Sequence, residues 1–355
     1  MKKGLFQFVA AILVAGVLGA GFFIQLQLSA VGPRSAAVSP QVPVTFVVSS
    51  GATAKRVAQQ LKQVGLIRNA TIFELSVRLG GSRFLPKAGE YLISSQMPAL
   101  DIARVLASGK SIEQVITVPE GYNRFEIAEL VARSGIGSKQ EFLRETQDTR
   151  RLNEWFKGAP PTLEGFLFPD TYAVTKAAGV DGLIDQMLKR FRTQFATLKN
   201  SKANGVTLSE LEWVTLASIV EKETGAEFER ATISAVFHNR LRLNMRLQTD
   251  PTVVYGLWLR DGSWNGKIGR ADLLRPTSYN TYTRGGLPPG PIANPGREAL
   301  LAARQPNSSD ALFFVSRNDG THVFSSNLES HNKAVRDFQL NPKAREGKSW
   351  RDLKQ

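Results

Sequence analysis

The apolar run LFQFVAAILVAGVLGAGFFI, residues 5–24, constrains this chain more than any other feature. It carries no charge, and Gln7 is its one strongly polar side chain. About 20 helical residues cross the hydrocarbon of a bilayer, so the run is long enough to span one. Lys2 and Lys3 precede it, and the positive-inside rule then holds the N-terminus in the cytoplasm and sends the remainder outward. A cleaved signal peptide is the rival reading. Its apolar core usually runs to about 7–15 residues, however, and no good A-x-A site follows here. The expectation is a retained single-span anchor over residues 1–28.

Residues 29–43, SAVGPRSAAVSPQVP, are small, Pro-containing and low in charge, as an extended tether would be. The 355 residues exceed what one core usually organises, so more than one domain is expected. Forty-five Lys and Arg against 31 Asp and Glu give a net charge of +14. That excess suits an acidic partner such as anionic lipid or a carboxylate-rich polymer. No basic run or binding fingerprint points to nucleic acid. The absence of Cys excludes disulfides and thiolate metal sites.

Residues 44–150 contain an internal repeat. VVSSGATAKRVAQQLKQVGLI (47–67) aligns with TVPEGYNRFEIAELVARSGI (117–136), placing Gly51 on Gly121, Val57 on Ile127, Ala58 on Ala128, Leu61 on Val131 and Gly65 on Gly135. Each copy predicts a short strand, a Gly turn, an amphipathic helix and a Gly stop. LPKAGEYLISSQM (85–97) predicts another strand, and 70–79 a second helix. The first copy with that strand resembles a LysM-like module, which implies binding to N-acetylglucosamine-containing glycans. A domain that only positions the remainder is the plainer alternative.

From 159 the character changes. APPTLEGFLFPDTYAV predicts loop and strand, and 180–199 place Ile184, Leu188, Phe191 and Phe195 at helical spacing, as core. TLSELEWVTLASIVEKETG (207–225) is more informative. Ser209 and Glu212 form a capping-box pattern, and Gly225 sits where a helix stop belongs. The helix between is apolar nearly all round, so it is expected to be buried. Glu221 continues the stripe of Val214 and Ala217 near its C-terminal end. Desolvation there raises a carboxyl pKa towards the range of a general acid, and the helix dipole pushes the same way. A Glu paired with Lys222 or Arg230 at the surface is the alternative.

ASIVEKETG, FHNRLRLNMRLQTDPTVVYG (237–256), YNTYTRGGLPPGPIANPG (279–296), HVFSSNLESHNK (322–333) and the upstream LEGFLFPDTY (163–172) resemble the endolytic murein transglycosylase family, the MltG or YceG-like proteins. The resemblance implies a membrane-held, periplasmic lytic transglycosylase. It would cleave the β-1,4 bond between N-acetylmuramic acid and N-acetylglucosamine inside peptidoglycan strands, leaving 1,6-anhydro ends. It implies Glu221 as the catalytic residue, and peptidoglycan synthases as partners. One carboxylate suffices because the sugar's own C6 hydroxyl attacks in place of an external nucleophile. Gln248, Thr249 and Asp250 lead into a Pro expected to hold a loop open. With Asn280, Tyr282 and Glu223 they are the candidate substrate-binding residues. GLPPGPIANPG, with four prolines, is expected to form a fixed cleft wall.

The expected fold is α+β: a transmembrane helix, a LysM-like and repeat-bearing domain to 150, and a mixed catalytic domain over 151–355. His238, His322 and His331 lack metal-ligand spacing, and no Walker or dinucleotide-binding glycine pattern occurs, so no metal and no cofactor are expected. Ser330 and Lys333 make an S-x-x-K without the K-T-G partner of penicillin-binding enzymes. Two rivals stand beside the lyase: a hydrolase of the same bond with Asp250 as second carboxylate, and a non-catalytic wall-binding scaffold.

Overall fold

In the computed structural model, which describes residues 2–29, 43–49, 51–79, 85–223, 226–264 and 266–341, the first element is helix α1 (Lys2–Leu28). Its stretch Ala11–Leu28 is long and apolar enough to cross a membrane and is not buried within the protein. Gly225 and most of the 29–43 tether lie outside the described residues. The chain is mixed α+β and forms two compact units, 1–114 with 174–179, and 115–173 with 180–355.

In the first unit, strand β1 (Val44–Val48) pairs antiparallel with β2 (Gly89–Ile93), Val44 opposite Ile93 and Val48 opposite Gly89. Between them run helices α2 (Ala54–Gln63) and α3 (Ala70–Leu79), and α4 (Ala99–Ser108) follows. Strand alternation puts Phe46, Val48, Tyr91 and Ile93 on one face. Helical spacing turns Val57, Ala58 and Leu61 of α2, Phe73 and Val77 of α3, and Ile102 and Leu106 of α4 onto it. Leu28, at the end of α1, packs against this core. The hydroxyl of Thr53 accepts from the Arg56 N–H at 3.3 Å and starts α2.

The second unit opens with the other copy of the repeat. Strand β3 (Glu113–Thr117), which pairs with β4 (Thr171–Thr175), leads into α5 (Arg124–Ser134) and α6 (Lys139–Glu145). The repeat is a repeat of conformation. Gly51 and Gly121 have φ of 71° and 75° before their helices, and Gly65 and Gly135 have 74° and 75° after them. Ile127, Ala128 and Val131 are buried just as Val57, Ala58 and Leu61 are. A left-handed residue at these turns favours glycine, which is why the pattern survives in the sequence.

Helix α7 (Gly179–Lys199) carries the predicted aromatic stripe into a core of rings. Phe166 lies 5.1 Å from Phe191, and Phe195 lies 4.5 Å from Trp213 of α8 (Glu210–Glu223). Every residue of α8 from Trp213 to Val220 is buried. Helices α9 (Arg230–Arg242), α10 (Asp250–Asp261) and α12 (Arg297–Arg304) all contact it, while the short α11 (Arg270–Leu274) contacts α10. Strands β5 (Phe313–Ser316) and β6 (His322–Ser325) form a hairpin, and α13 (Leu328–Val335) follows. Pro251 sits in the first turn of α10 instead of holding a loop open. A proline is accommodated there because the first turn has no intrahelical acceptor for its missing N–H.

Candidate active site

The site is built where α8 ends. Ser209 and Glu212 start that helix with the reciprocal bonds of a capping box, 2.8 Å from the Ser209 N–H to Glu212 and 3.3 Å from the Glu212 N–H to the Ser209 hydroxyl. Three buried turns later the helix delivers Glu221, whose side chain is only 6% exposed. Its Oε2 accepts from the Gly296 backbone N–H at 3.0 Å, and Arg230 Nη2 stands 3.6 Å from Oε1. Burial holds its pKa above the usual carboxylate range; the Gly296 amide and Arg230 pull it back, and Glu120 pushes it up again. A carboxyl that keeps its proton in a fixed orientation can act as a general acid. Arg230 is the partner weighed from sequence, but the pair is buried, with the arginine 8% exposed.

Two loops hold Glu221 in place. The turn of Glu120, Gly121 and Tyr122 passes beside it, and the Gly121 carbonyl accepts from Lys222 Nζ at 3.0 Å. A Cβ on Gly121 would stand 3.4 Å from Glu221 Cγ, so the turn lies directly against the side chain. The proline-rich stretch 286–296 forms the other wall. Its Ile292 N–H donates to the Ser218 hydroxyl of α8 at 3.0 Å.

Asn294, fully buried, ties both loops to LEGFLFPDTY. Its Oδ1 accepts from the Gly165 and Leu167 amides at 2.8 and 2.9 Å. Its Nδ2 donates to the Tyr122 carbonyl and to Glu164 at 2.9 and 2.8 Å. Glu164 in turn accepts the Arg124 N–H on both oxygens. Burial pushes the Glu164 carboxyl up to about 7 against those bonds.

Glu223 has a separate set of partners. Its carboxyl turns inward to accept from the Thr249 hydroxyl, and burial raises its pKa to about 7. Asp250 accepts from the Tyr282 hydroxyl at 2.5 Å. Burial first, then Asp250, pushes that hydroxyl's pKa up. Gln248, in left-handed backbone at φ 49°, accepts from Arg240 Nη1 at 3.4 Å. Five candidates, Glu223, Gln248, Thr249, Asp250 and Tyr282, therefore sit in one neighbourhood. Asn280 is buried with its amide spent on the carbonyls of Asp272, Leu273 and Arg275, while its Oδ1 accepts from the Tyr282 N–H at 2.8 Å. It shapes the loop that carries Tyr282.

A cavity of about 400 Å³ opens beside these groups. Lys222, Asp250, Asn123 and Glu126 give it polar edges, and Trp258, Trp264 and Ile292 give it an apolar wall. Trp258 is stacked on Phe125 at 5.5 Å, which fixes its plane. The sequence reading missed Glu120, Glu164, Asn294 and the Gly296 amide, as well as the tryptophans. Glu120 and Gly121 lay inside the second repeat copy, where only the helix was read for packing.

Fold and site together define a two-unit α+β protein with a membrane-length N-terminal helix and a buried carboxyl, Glu221, next in the chain to Lys222, which lines an aromatic-walled cavity. The chain belongs to the YceG-like family, which matches residues 46–337. An endolytic murein transglycosylase of Bacillus subtilis is 33% identical over 311 residues, covering 83% of this chain and 84% of that protein. One from Streptococcus pneumoniae is 28% identical over 331 residues, covering 82% of this chain, which spans 58% of that longer relative. The crystal structure of a yceG-like protein from Listeria monocytogenes is 30% identical, covers 84% of this chain and 100% of its own, and superposes with a TM-score of 0.53.

Proposed function

We propose that the protein is an endolytic peptidoglycan lytic transglycosylase with Glu221 as its acid and base. The observation that carries this reading is the desolvated Glu221 carboxyl, held by the Gly296 amide and beside Arg230. The names of the Bacillus and Streptococcus relatives support the reaction. Glu221 gives its proton to the oxygen leaving C1 of N-acetylmuramic acid as that β-1,4 bond breaks. The carboxylate so formed takes the proton of the C6 hydroxyl, whose oxygen bonds to C1 and closes the 1,6-anhydro ring. No water is consumed, and Glu221 ends protonated again.

The cavity walled by Trp258 and Trp264 is the place for a sugar ring, whose apolar face stacks on aromatic side chains while Lys222 and Asp250 meet its polar edge. Of the candidate residues Asp250 lines it; Gln248, Thr249, Glu223 and Tyr282 join Asp250 through the chain or through hydrogen bonds, and Asn280 holds Tyr282. In the first unit, two helices between paired antiparallel strands β1 and β2 support a LysM-like, glycan-holding role within 44–150. Chemistry falls to 151–355, with the turn of Glu120 contributing. Helix α1 anchors the chain in the inner membrane with its bulk in the periplasm, where it meets nascent strands and their synthases.

Mass spectrometry of products from purified glycan strands tests the reading. Anhydro ends support it, and reducing ends, heavier by one water, would turn it into the hydrolase reading.

A further inference from the structure

Glu221 is not the only carboxylate that faces Arg230. Arg230 Nη2 stands 3.6 Å from Glu221 Oε1 and 3.7 Å from Glu120 Oε2, so one guanidinium nitrogen lies between two acids. The two differ in surroundings: the Glu221 side chain is 6% exposed and the Glu120 side chain 47%. Water reaches the Glu120 carboxyl, whereas Glu221 ionises at the cost of burial.

The backbone makes room for this arrangement. A Cβ on Gly296 would overlap the Glu120 carboxyl, yet the φ of Gly296 is −74°, a value any residue adopts. Glycine stands at 296 for space, and the space is filled by Glu120. The same Gly296 donates its N–H to Glu221. The other charge beside Glu221 is Lys222 on its own helix, and the Lys222 ammonium is engaged by the Gly121 carbonyl.

We propose that Glu120 is a positioning residue for Glu221: by taking a share of Arg230 it prevents that arginine from clamping Glu221 as a permanent carboxylate, and so keeps the acid's proton available for transfer. Without Glu120, Glu221 would be the one carboxylate left beside Arg230 among the described residues, and the like charge that opposes ionisation would be gone. This rests on the reading of Glu221 as the acid.

The test is the pH dependence of kcat for anhydro-end formation by the full-length protein, in the wild type, Glu120→Gln, Glu120→Asp and Glu221→Gln. The alkaline limb of kcat reports the acid in the substrate complex. In Glu120→Gln that limb moves to lower pH by about half a unit to one unit, the size left to a half-exposed charge after solvent screening. Glu120→Asp restores most of the shift. Because Glu120 is half exposed, its replacement leaves the fold intact, which a thermal melt verifies. An unmoved limb, or a uniform loss of kcat at every pH, would show a merely structural Glu120 and overturn the inference. Glu221→Gln separates the two ideas: anhydro-end formation persisting there removes the acid assignment itself, whatever Glu120 does.

Discussion

The backbone N–H of Gly296 donates a 3.0 Å hydrogen bond to Oε2 of Glu221, a residue 75 positions earlier in the chain. Gly296 is also the N-cap of α12, so the amide that orients the carboxyl lies at the positive end of a helix dipole. The Gly296 hydrogen bond favours the carboxylate; burial favours the acid, and burial has the larger effect on this group. A group balanced in this way is suited to both losing and regaining a proton.

Glu221→Gln keeps the side chain's size and its acceptor for the Gly296 amide. It has no proton to give and no carboxylate to follow. Loss of acid–base catalysis typically costs about 10²- to 10⁴-fold, and that drop is expected in anhydro-end production with little change in melting temperature. Glu223→Gln, whose carboxyl bonds Thr249 instead, should be much milder. Near-normal product from a folded Glu221→Gln protein would refute the assignment, and equal collapse in both variants would make the pair the catalytic unit.

The Asn294 side chain holds four polar groups, and its bonds to the Gly165 amide, the Leu167 amide and Glu164 are buried away from water. Asn294→Ala leaves the Gly165 and Leu167 amides unpaired in the interior, at about 1–3 kcal/mol each before relaxation. A loss of roughly 2–4 kcal/mol in urea unfolding is expected. Since the same asparagine fixes the turn beside Glu221, kcat should fall as well. A stability change under about 0.5 kcal/mol, the size of an ordinary surface substitution, would contradict this role.

What could be read from the chain was what repeats locally. Helix α8, its capping box, the aromatic stripe of α7 and both copies of the repeat follow from spacing over a few turns. The burial of Glu221 was legible because a carboxylate on an apolar stripe is conspicuous within one helix; its role as the acid was implied only by the family resemblance. Asn294 and Glu120 were not, because their meaning lies in partners far away in sequence. Asn294 reaches Tyr122 across 172 positions and Glu164 across 130. Asn280 shows the converse: a polar loop residue can look like a ligand for sugar when its amide is already satisfied by three carbonyls.

Trp264, on the cavity wall, is 38% exposed, and its indole N–H donates to the Lys267 carbonyl at 3.0 Å. Trp264→Ala therefore removes contact area for a ring at small cost to the fold. Aromatic stacking is worth about 0.5–1.5 kcal/mol beyond burial, or roughly a two- to twelvefold rise in KM. The turnover number should change less than KM. An unchanged KM for glycan strands would place the sugar elsewhere.

Stability should also fall with rising pH across a window set by Glu164. Its side chain is 2% exposed, and its pKa rises from an ordinary 4.5 to about 7 in the fold. Between those values the folded chain holds a proton that the unfolded chain has released. Fewer protons bound to the unfolded state makes the slope of unfolding free energy with pH negative. The contribution is therefore complete below pH 4.5 and is lost as pH climbs through about 7. Across the window it amounts to about 3 kcal/mol, at about 1.4 kcal/mol per pH unit. Glu164→Gln cannot titrate, so its urea-unfolding free energy should decline less steeply than the wild type between pH 4.5 and 7, even though the variant starts from lower stability. The starting stability drops because one of the two oxygens that face the Arg124 N–H becomes an NH2 group, which cannot accept. The comparison is of slopes, so that loss does not obscure it. Parallel curves for the two proteins would mean that Glu164 titrates in the fold as it does in water.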